Sequence, residues 1–448
     1  MGEDNKLALL GGEKAVRKDP GKIFSWPIVT EEDEQAVLSV LRQGKMSDMD
    51  QTKEFEKEFA RWMGMKYALG TNNGTSAIQS AMFGCKIGVG DEIIAPSLTF
   101  WASVLQCYSL GATVVFAEVD PETLCIDPGD IEHRISDRTK AIVVNHITGY
   151  PADMDAIMKI AGKHNLRVIE DVSHAQGSLY KGRKVGTYDV GAMSLMTYKS
   201  FAIGEAGILV TNDLEVFERA VAWGHYRRFD DSIKTESLKP YIGLPMGGYK
   251  YRMHQMSSAM GRVQLKHYDA RITEIDRAMN TFWDLLEGVP GIQAHRPPKG
   301  SGSTKGGWYA PRGLYKPEEL GGLSVSRFAE AVRAEGVVTC VPGGNLPLHM
   351  HPLFNTADIY GHGKPTRIAN SNRDLRQPVG SLPVTEKALE RMFVIPWFKR
   401  YDARIIEEFA GAFRKVSENH GDLLPGDTGN PPTLGGWYTS TPTLNNPT

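Results

Sequence analysis

The feature of this chain that most narrows its fold is a series of short apolar runs, rich in β-branched residues and closed by turn formers. They read EIIAPS (92–97), TVVFAEV (113–119), AIVVNH (141–146), LRVIED (166–171), AMSLMT (192–197) and GILVTN (207–212). Apolarity that is continuous rather than alternating predicts strands buried on both faces. Helical patterns such as DMDAIMKIAGKHN (153–165) separate several of them. Upstream, TEEDEQAVLSVLRQG (30–44) predicts a helix that Thr30 caps, with Asp33 three residues on, and that stops at Gly44. Strand–helix–strand alternation of this kind predicts an α/β fold around a largely parallel sheet.

At 448 residues the chain exceeds what one hydrophobic core supports. Gly and Pro thicken between 289 and 325 (VPGIQAHRPPKGSGSTKGG), marking a lobe boundary or an exposed insertion, and helical patterns return near 324–336 and 403–417. The expected organisation is an N-terminal arm over 1–30, a large domain over 31–290 and a small α+β domain over 291–420. The last stretch, 421–448, is rich in Pro, Gly, Thr and Asn; it reads as a flexible tail without a core of its own, available to lie on a neighbouring subunit.

Acidic and basic residues nearly cancel, 53 against 51, which excludes the basic surplus of a nucleic-acid binder. No apolar run approaches the ~18 residues that cross a bilayer, so no membrane partner is expected. The first residues lack a secretory apolar segment. Cys85, Cys107, Cys125 and Cys340 are scattered with no C-x-x-C pair, which speaks against a disulfide framework or a cysteine zinc site and for a reducing cytoplasm.

In open α/β sheets ligands bind beyond the carboxyl ends of the strands, and three polar features fall there. In TNNGTSAIQSAM (71–82), Gly74-Thr75-Ser76 opens an amphipathic helix whose free N–H groups suit a phosphate; the plainer reading is an ordinary cap. Asp171 ends LRVIED, as a metal ligand, a general base, a partner for a cationic ring nitrogen, or merely a capped turn. Its neighbour Glu170 should face the other way, since strand side chains alternate. Lys199 follows an apolar run and precedes a Gly-bearing loop; between 189 and 204 its only charged company is Asp189. It is either a strand-end lysine that snorkels to water or an amine nucleophile. Taken together, an anion cradle, a carboxylate for a ring nitrogen and a Schiff-base lysine are what pyridoxal phosphate requires of a protein.

The residues resemble the DegT/DnrJ sugar aminotransferases, a branch of the fold-type-I (aspartate aminotransferase-like) pyridoxal phosphate enzymes. The resemblance runs from LALLGGEKAVR (7–17) to about residue 417. NGTSA (73–77), PSLTFWAS (96–103), GATVVFAEVDPETLCID (111–127), RTKAIVVNHITGYPADMD (138–155), IEDVSHAQGSLYKGRKVG (169–186), YKSFAIGEAGILVTND (198–213) and GYKYRMHQMSSAMG (248–261) carry it. It implies a large domain with a mostly parallel sheet between helices, plus a smaller C-terminal α+β domain.

Residue by residue, the resemblance implies that Lys199 holds the cofactor as a Schiff base and shuttles the donor proton. Asp171 pairs with the pyridine nitrogen, and His174 stands within reach of the ring hydroxyl. Phe100 stacks on the ring with Trp101 beside it; Gly74, Thr75 and Ser194 cradle the phosphate. Lys250 stands where the family usually has an Asn that reaches the phosphate of a neighbouring subunit. A GEGG loop is changed to Gly204-Glu205-Ala206-Gly207. The donor carboxylate wants an arginine, for which Arg252 is the candidate, with Arg227 and Arg228 as alternatives or as plain ion pairs.

The expected activity is transfer of an amino group from glutamate or glutamine to a keto-sugar, nucleotide-linked by expectation, or to a keto-cyclitol, in a homodimer with shared active sites. The rivals are a cofactor-dependent sugar dehydratase and a non-catalytic regulatory relative; a lysine at 199, where the dehydratases carry His, favours transamination. His349, His351 and His362 could be called a metal triplet, but zinc would want a fourth ligand in a closed shell, and the stretch matches a family segment near the active-site mouth. Met253, Met256 and Met260 are expected to pack on a helix face, and IGVGDE (87–92) to form a turn before a strand.

Overall fold

The protein is described by a computed structural model over residues 6–229 and 233–437. A seven-stranded sheet forms its larger part. The strands are β1 (Tyr67–Thr71), β2 (Glu92–Pro96), β3 (Thr113–Ala117), β4 (Thr139–Asn145), β5 (Arg167–Asp171), β8 (Val190–Ser194) and β9 (Gly207–Thr211), in the spatial order β1-β9-β8-β5-β4-β2-β3. A short hairpin, β6 (Leu179–Tyr180) and β7 (Arg183–Lys184), stands apart. Pairing is parallel from β8 to β3, while β9 runs antiparallel to both β8 and β1. All six expected strands are present and the sheet is largely parallel. β1 is an addition: its five residues, YALGT, hold a glycine and too little apolar weight to stand out.

Burial on both faces follows the two-residue alternation of a strand. Ile93, Val114, Val143 and Ile169 enter one apolar cluster, and Ile94, Val115, Ile142, Val144 and Val168 enter the other. Helices α3 (Gly74–Gly84) and α6 (Leu214–Gly224) cover the first face. Helices α2 (Asp50–Met63), α4 (Pro128–Arg134) and α5 (Met154–His164) feed the second cluster, while α1 (Glu31–Arg42) packs on the long helix over 255–285. The expected capping box opens α1: Thr30 accepts from the Asp33 amide and the Asp33 carboxylate accepts from the Thr30 amide, an arrangement worth ~1 kcal/mol. Helix α3 is not amphipathic as its sequence suggests. Nine of its eleven residues are buried, because it is wedged between the sheet and α6.

The 31-residue helix α7 (Gln255–Leu285) spans ~46 Å and joins two cores. Tyr268 sits in the large-domain cluster, while Ile275, Met279, Phe282 and Trp283 sit in a separate one. That second core also takes α8 (Val325–Ala334), α9 (Ala403–Glu418) and a small antiparallel sheet of β10 (Ile292–Ala294), β11 (Arg312–Tyr315) and β12 (Met392–Val394). Met253 packs in the large-domain core just before α7 rather than on it. Beyond α9 the chain turns back onto the small unit. Leu423 and Leu434 join its core, and Asp427 accepts from the amide and hydroxyl of Ser324 at the start of α8. Residues 438–448 of the expected tail lie outside the described residues. Among the described residues, no helix is long and apolar enough to cross a membrane.

Candidate active site

The sheet register sets one row of residues at a single edge. Gly207 stands opposite both Ser194 and Thr71, and Asp171 stands between Ala192 and Asn145. These are the carboxyl ends of β1, β4, β5 and β8, together with the first residue of β9. The β8–β9 connection that carries Lys199 therefore emerges at the same edge as Asp171 and the start of α3.

Two glycines make the cradle. A Cβ on Gly74 would lie 2.7 Å from the Cα, Cβ and N of Ser194, and one on Gly207 would lie 2.2 Å from the Asn73 carbonyl oxygen. The Asn73–Gly74 turn is thus pressed between β8 and β9, which brings the N-terminus of α3 onto Ser194. The cap is Asn73, whose side-chain oxygen accepts from the Ser76 amide at 2.8 Å; Thr75 is left half-buried beside it.

Asp171 is 2 % exposed and accepts from three sides. Ser103 Oγ donates at 2.6 Å, the Ser173 amide at 3.0 Å and Asn145 Nδ2 at 3.4 Å. Ser103 also shares a 2.8 Å bond with the Thr99 hydroxyl. Three donors thus converge on the carboxylate. Phe100 and Trp101 lie in the same turn, rings 4.9 Å apart, with Phe100 37 % exposed. Glu170 faces the other way, as strand alternation requires, and accepts from the amides of Gly186 and Tyr188 while bonding His146.

Lys199 is 8 % exposed, and its Nζ lies 4.1 Å from the centroid of the Tyr309 ring. Tyr309 is held there by a contorted segment: Gly306, Trp308 and Ala310 all have positive φ, and the two non-glycine positions cost ~1–3 kcal/mol each. Trp308 Nε1 donates to Asp276 at 2.8 Å and Trp397 Nε1 donates to the Gly307 carbonyl at 2.9 Å, which offsets that strain. Trp26, from the N-terminal arm, donates to the Lys199 carbonyl at 2.9 Å. Three tryptophans distant in sequence therefore anchor the lysine's loop and its cover.

His174 packs 4.7 Å from the Tyr309 ring. Its Nδ1 accepts from the Thr148 amide at 3.3 Å, which assigns the proton to Nε2 and makes that atom a donor. Burial, reinforced by the charges of Lys199 and Arg312, holds its pKa well below the ordinary imidazole value, so the ring is neutral.

The arginine candidates separate. Arg228 is committed to a buried ion pair with Glu56 at 2.6 Å, and Glu56 also accepts from the Gly70 amide. It is unavailable to a substrate. Arg227 is exposed. Arg252 bridges Thr71 through its backbone, while its guanidinium lies 5.3 Å from the Tyr226 ring and donates to the Ser47 carbonyl. Lys250 is exposed on the same loop. His349 bonds Ser97 and Glu386, and His351 accepts from the Leu353 amide. Among the described residues, no cluster of three or more His, Cys, Asp or Glu suits a metal. Ser103, Asn145, Tyr309, Trp26 and Trp397 escape a sequence reading, since only tertiary packing brings them to Asp171 and Lys199.

Residues 27–408 match the model of the DegT/DnrJ/EryC1/StrS aminotransferase family. The chain is 32% identical over 343 residues to the spore coat polysaccharide biosynthesis protein SpsC of Bacillus subtilis, covering 74% of this chain and 85% of that one. It is 31% identical over 434 residues to a protein of Micromonospora echinospora described as a putative L-glutamine:3-amino-2,3-dideoxy-scyllo-inosose aminotransferase, covering 93% and 98%. The solved aminotransferase of Psychrobacter cryohalolentis superposes with a TM-score of 0.76 at 30% identity, covering 89% of this chain and 99% of that one.

Proposed function

Since the chain belongs to the DegT/DnrJ/EryC1/StrS aminotransferase family, we propose that it uses pyridoxal 5'-phosphate at Lys199 to move an amino group from glutamine or glutamate onto a keto-sugar, nucleotide-linked, or a keto-cyclitol. The observation that carries the reading is the lysine itself. Lys199 is almost fully buried, covered by an aromatic ring, and leaves the sheet edge where Asp171 ends β5. A solvated strand-end lysine would need none of this.

The residues present suit the cofactor in their chemistry. Gly74, packed so closely on Ser194 that a Cβ would not fit, opens a helix whose first amides, with Thr75 and Ser194 beside them, would hold a phosphate. Asp171 would accept from a protonated ring nitrogen of the cofactor. His174 Nε2–H donates to a ring hydroxyl, and Phe100 covers a ring face. When bound, the cofactor supplies the sink for the electron pair released as the donor Cα–H bond breaks. Lys199 Nζ takes that proton and later returns one to the acceptor carbon. The Tyr309 and Trp397 rings exclude water from the amine, and Trp101 lines the substrate side.

Arg252 and Lys250, on the loop beside Thr71, are assigned to substrate and to the cofactor phosphate of a partner subunit, in a cytoplasmic homodimer. The description of the Micromonospora relative as L-glutamine-dependent supports glutamine as donor and a cyclitol among the acceptors. Addition of L-glutamine to the pyridoxal phosphate-loaded protein should convert its visible absorbance band to the near-ultraviolet pyridoxamine band. A panel of keto-sugars and keto-cyclitols should then restore it. No conversion with glutamine, glutamate or any other amino acid would refute the assignment.

A further inference from the structure

Beside the site, Thr148 holds a backbone conformation that its own side chain resists. It lies in the turn after β4 with φ 51° and ψ 25°, a left-handed conformation that β-branched residues rarely adopt. Strain of this kind persists only where the surroundings enforce it, and it points to a task. The Thr148 amide donates to His174 Nδ1 at 3.3 Å. The next residue, Gly149, is gripped from two sides. A Cβ there would stand 2.7 Å from the Lys305 carbonyl oxygen and 3.2 Å from that of His174.

Lys305 supplies the enforcement. It is fully buried, and among the described residues no carboxylate pairs with it. Its Nζ donates to the His295 carbonyl at 3.0 Å, to His295 Nδ1 at 3.1 Å and to the Thr148 hydroxyl at 3.3 Å, which uses all three N–H bonds of an ammonium. His295 Nε2 donates to the Thr123 carbonyl at 2.9 Å, so its Nδ1 is an acceptor. The Thr148 hydroxyl donates to that same Nδ1 at 3.3 Å. Thr148 is therefore held by its hydroxyl on one side and presents its amide to His174 on the other. Burial opposes the lysine's charge and draws its pKa well below the usual value. A methionine of similar length would fill the space without that cost, so packing alone does not account for a lysine here.

The linkage joins the two lobes at one hydroxyl. Lys305 and His295 follow β10 of the small sheet, whereas Thr148 and His174 follow β4 and β5 of the large one. Lys305 also starts the contorted stretch that ends over the reactive amine. Its carbonyl accepts from the Trp308 amide at 3.0 Å, one residue before Tyr309. From this geometry we infer that Lys305 is a positioning residue for His174. Through the Thr148 hydroxyl it holds the turn whose amide occupies Nδ1, and so keeps the ring proton on Nε2, the atom assigned to the cofactor's ring hydroxyl. What that proton serves rests on the aminotransferase reading, while the linkage itself lies within the chain.

The test reads the His174 ring in cofactor-free protein by nitrogen NMR of isotopically labelled histidine, with His174→Gln identifying its signals. Wild type should show a protonated Nε2 and an acceptor Nδ1. Lys305→Met and Thr148→Val keep the bulk and remove the linkage, and both should move the ring to a mixture of tautomers. Thr148→Ser keeps the hydroxyl and should stay close to wild type. In the first two variants the dissociation constant of pyridoxal phosphate, followed by absorbance, should rise about 3–10-fold, the worth of one hydrogen bond. Urea midpoints run alongside, and Thr148→Val serves where Lys305→Met fails to fold. A ring still fixed on Nε2 in either variant overturns the inference. So does a lowered midpoint with tautomer and affinity unchanged, the result of a merely structural pin. Wild-type protein that takes up no pyridoxal phosphate would sink the functional reading instead, and the tautomer measured without cofactor keeps the two failures apart.

Discussion

Gly74→Ala tests the cradle with a single methyl group. The added Cβ would stand 2.7 Å from three atoms of Ser194, two of them backbone, whereas ordinary contact begins at 3.4 Å. One partner must retreat by about 0.7 Å, and the backbone of a central strand is the less able to move. Overpacking of this kind costs about 1–3 kcal/mol. In the free protein the start of α3 can tilt away; with phosphate bound it must return, so much of the cost falls on binding. Cofactor affinity should drop about 10–100-fold, tenfold per 1.4 kcal/mol. Gly84→Ala is the matched control, since its Cβ would meet the Val216 carbonyl oxygen at 2.9 Å at the far end of the same helix. Both variants should lower the urea midpoint, and only Gly74→Ala should raise the dissociation constant of pyridoxal phosphate measured by absorbance. Wild-type affinity in Gly74→Ala, or an equal loss in Gly84→Ala, would refute the reasoning.

Asp171→Asn would set an amide against three donors, and removing that charge should lower kcat for amine transfer by about 10²–10³-fold; retained turnover would contradict the ring-nitrogen role. Glu56→Gln breaks the buried pair with Arg228 and should cost about 3–5 kcal/mol in denaturant unfolding, while the KM for donor stays put. A shift in KM without loss of stability would return Arg228 to the site. His225 is held at about 3, through burial and the nearby Arg228 charge. It is therefore neutral in the fold, while the unfolded chain takes up its proton near pH 6.5. Its contribution is complete above pH 6.5 and lost as pH falls toward 3, by at most ~1.4 kcal/mol per unit. His225→Asn should flatten the fall in urea midpoint between pH 7 and 5, and an unchanged slope would refute the assignment.

The sheet was legible because buried parallel strands write themselves as unbroken apolar runs. β1 was not, since YALGT depends on antiparallel pairing with a strand far along the chain: at its ends Tyr67 stands opposite Thr211 of β9 and Thr71 opposite Gly207. β8 begins two residues earlier than AMSLMT suggests; Leu195 enters the core but already lies beyond the strand. α3 looked amphipathic because burial against α6 leaves no trace in its own spacing. The site divides along the same line. Lys199, Asp171, His174, Gly74 and Ser194 stand at strand ends and helix starts, where local sequence speaks. Tyr309, Trp397 and Trp26 reach the site from distant parts of the chain, and Arg228 is claimed by Glu56, a partner 172 residues away.

The most direct measurement of the central claim is where the cofactor attaches. Protein loaded with pyridoxal phosphate, reduced with borohydride and digested, should yield one labelled peptide, modified at Lys199. Label at Lys305, at Lys250 or at no lysine would contradict the account.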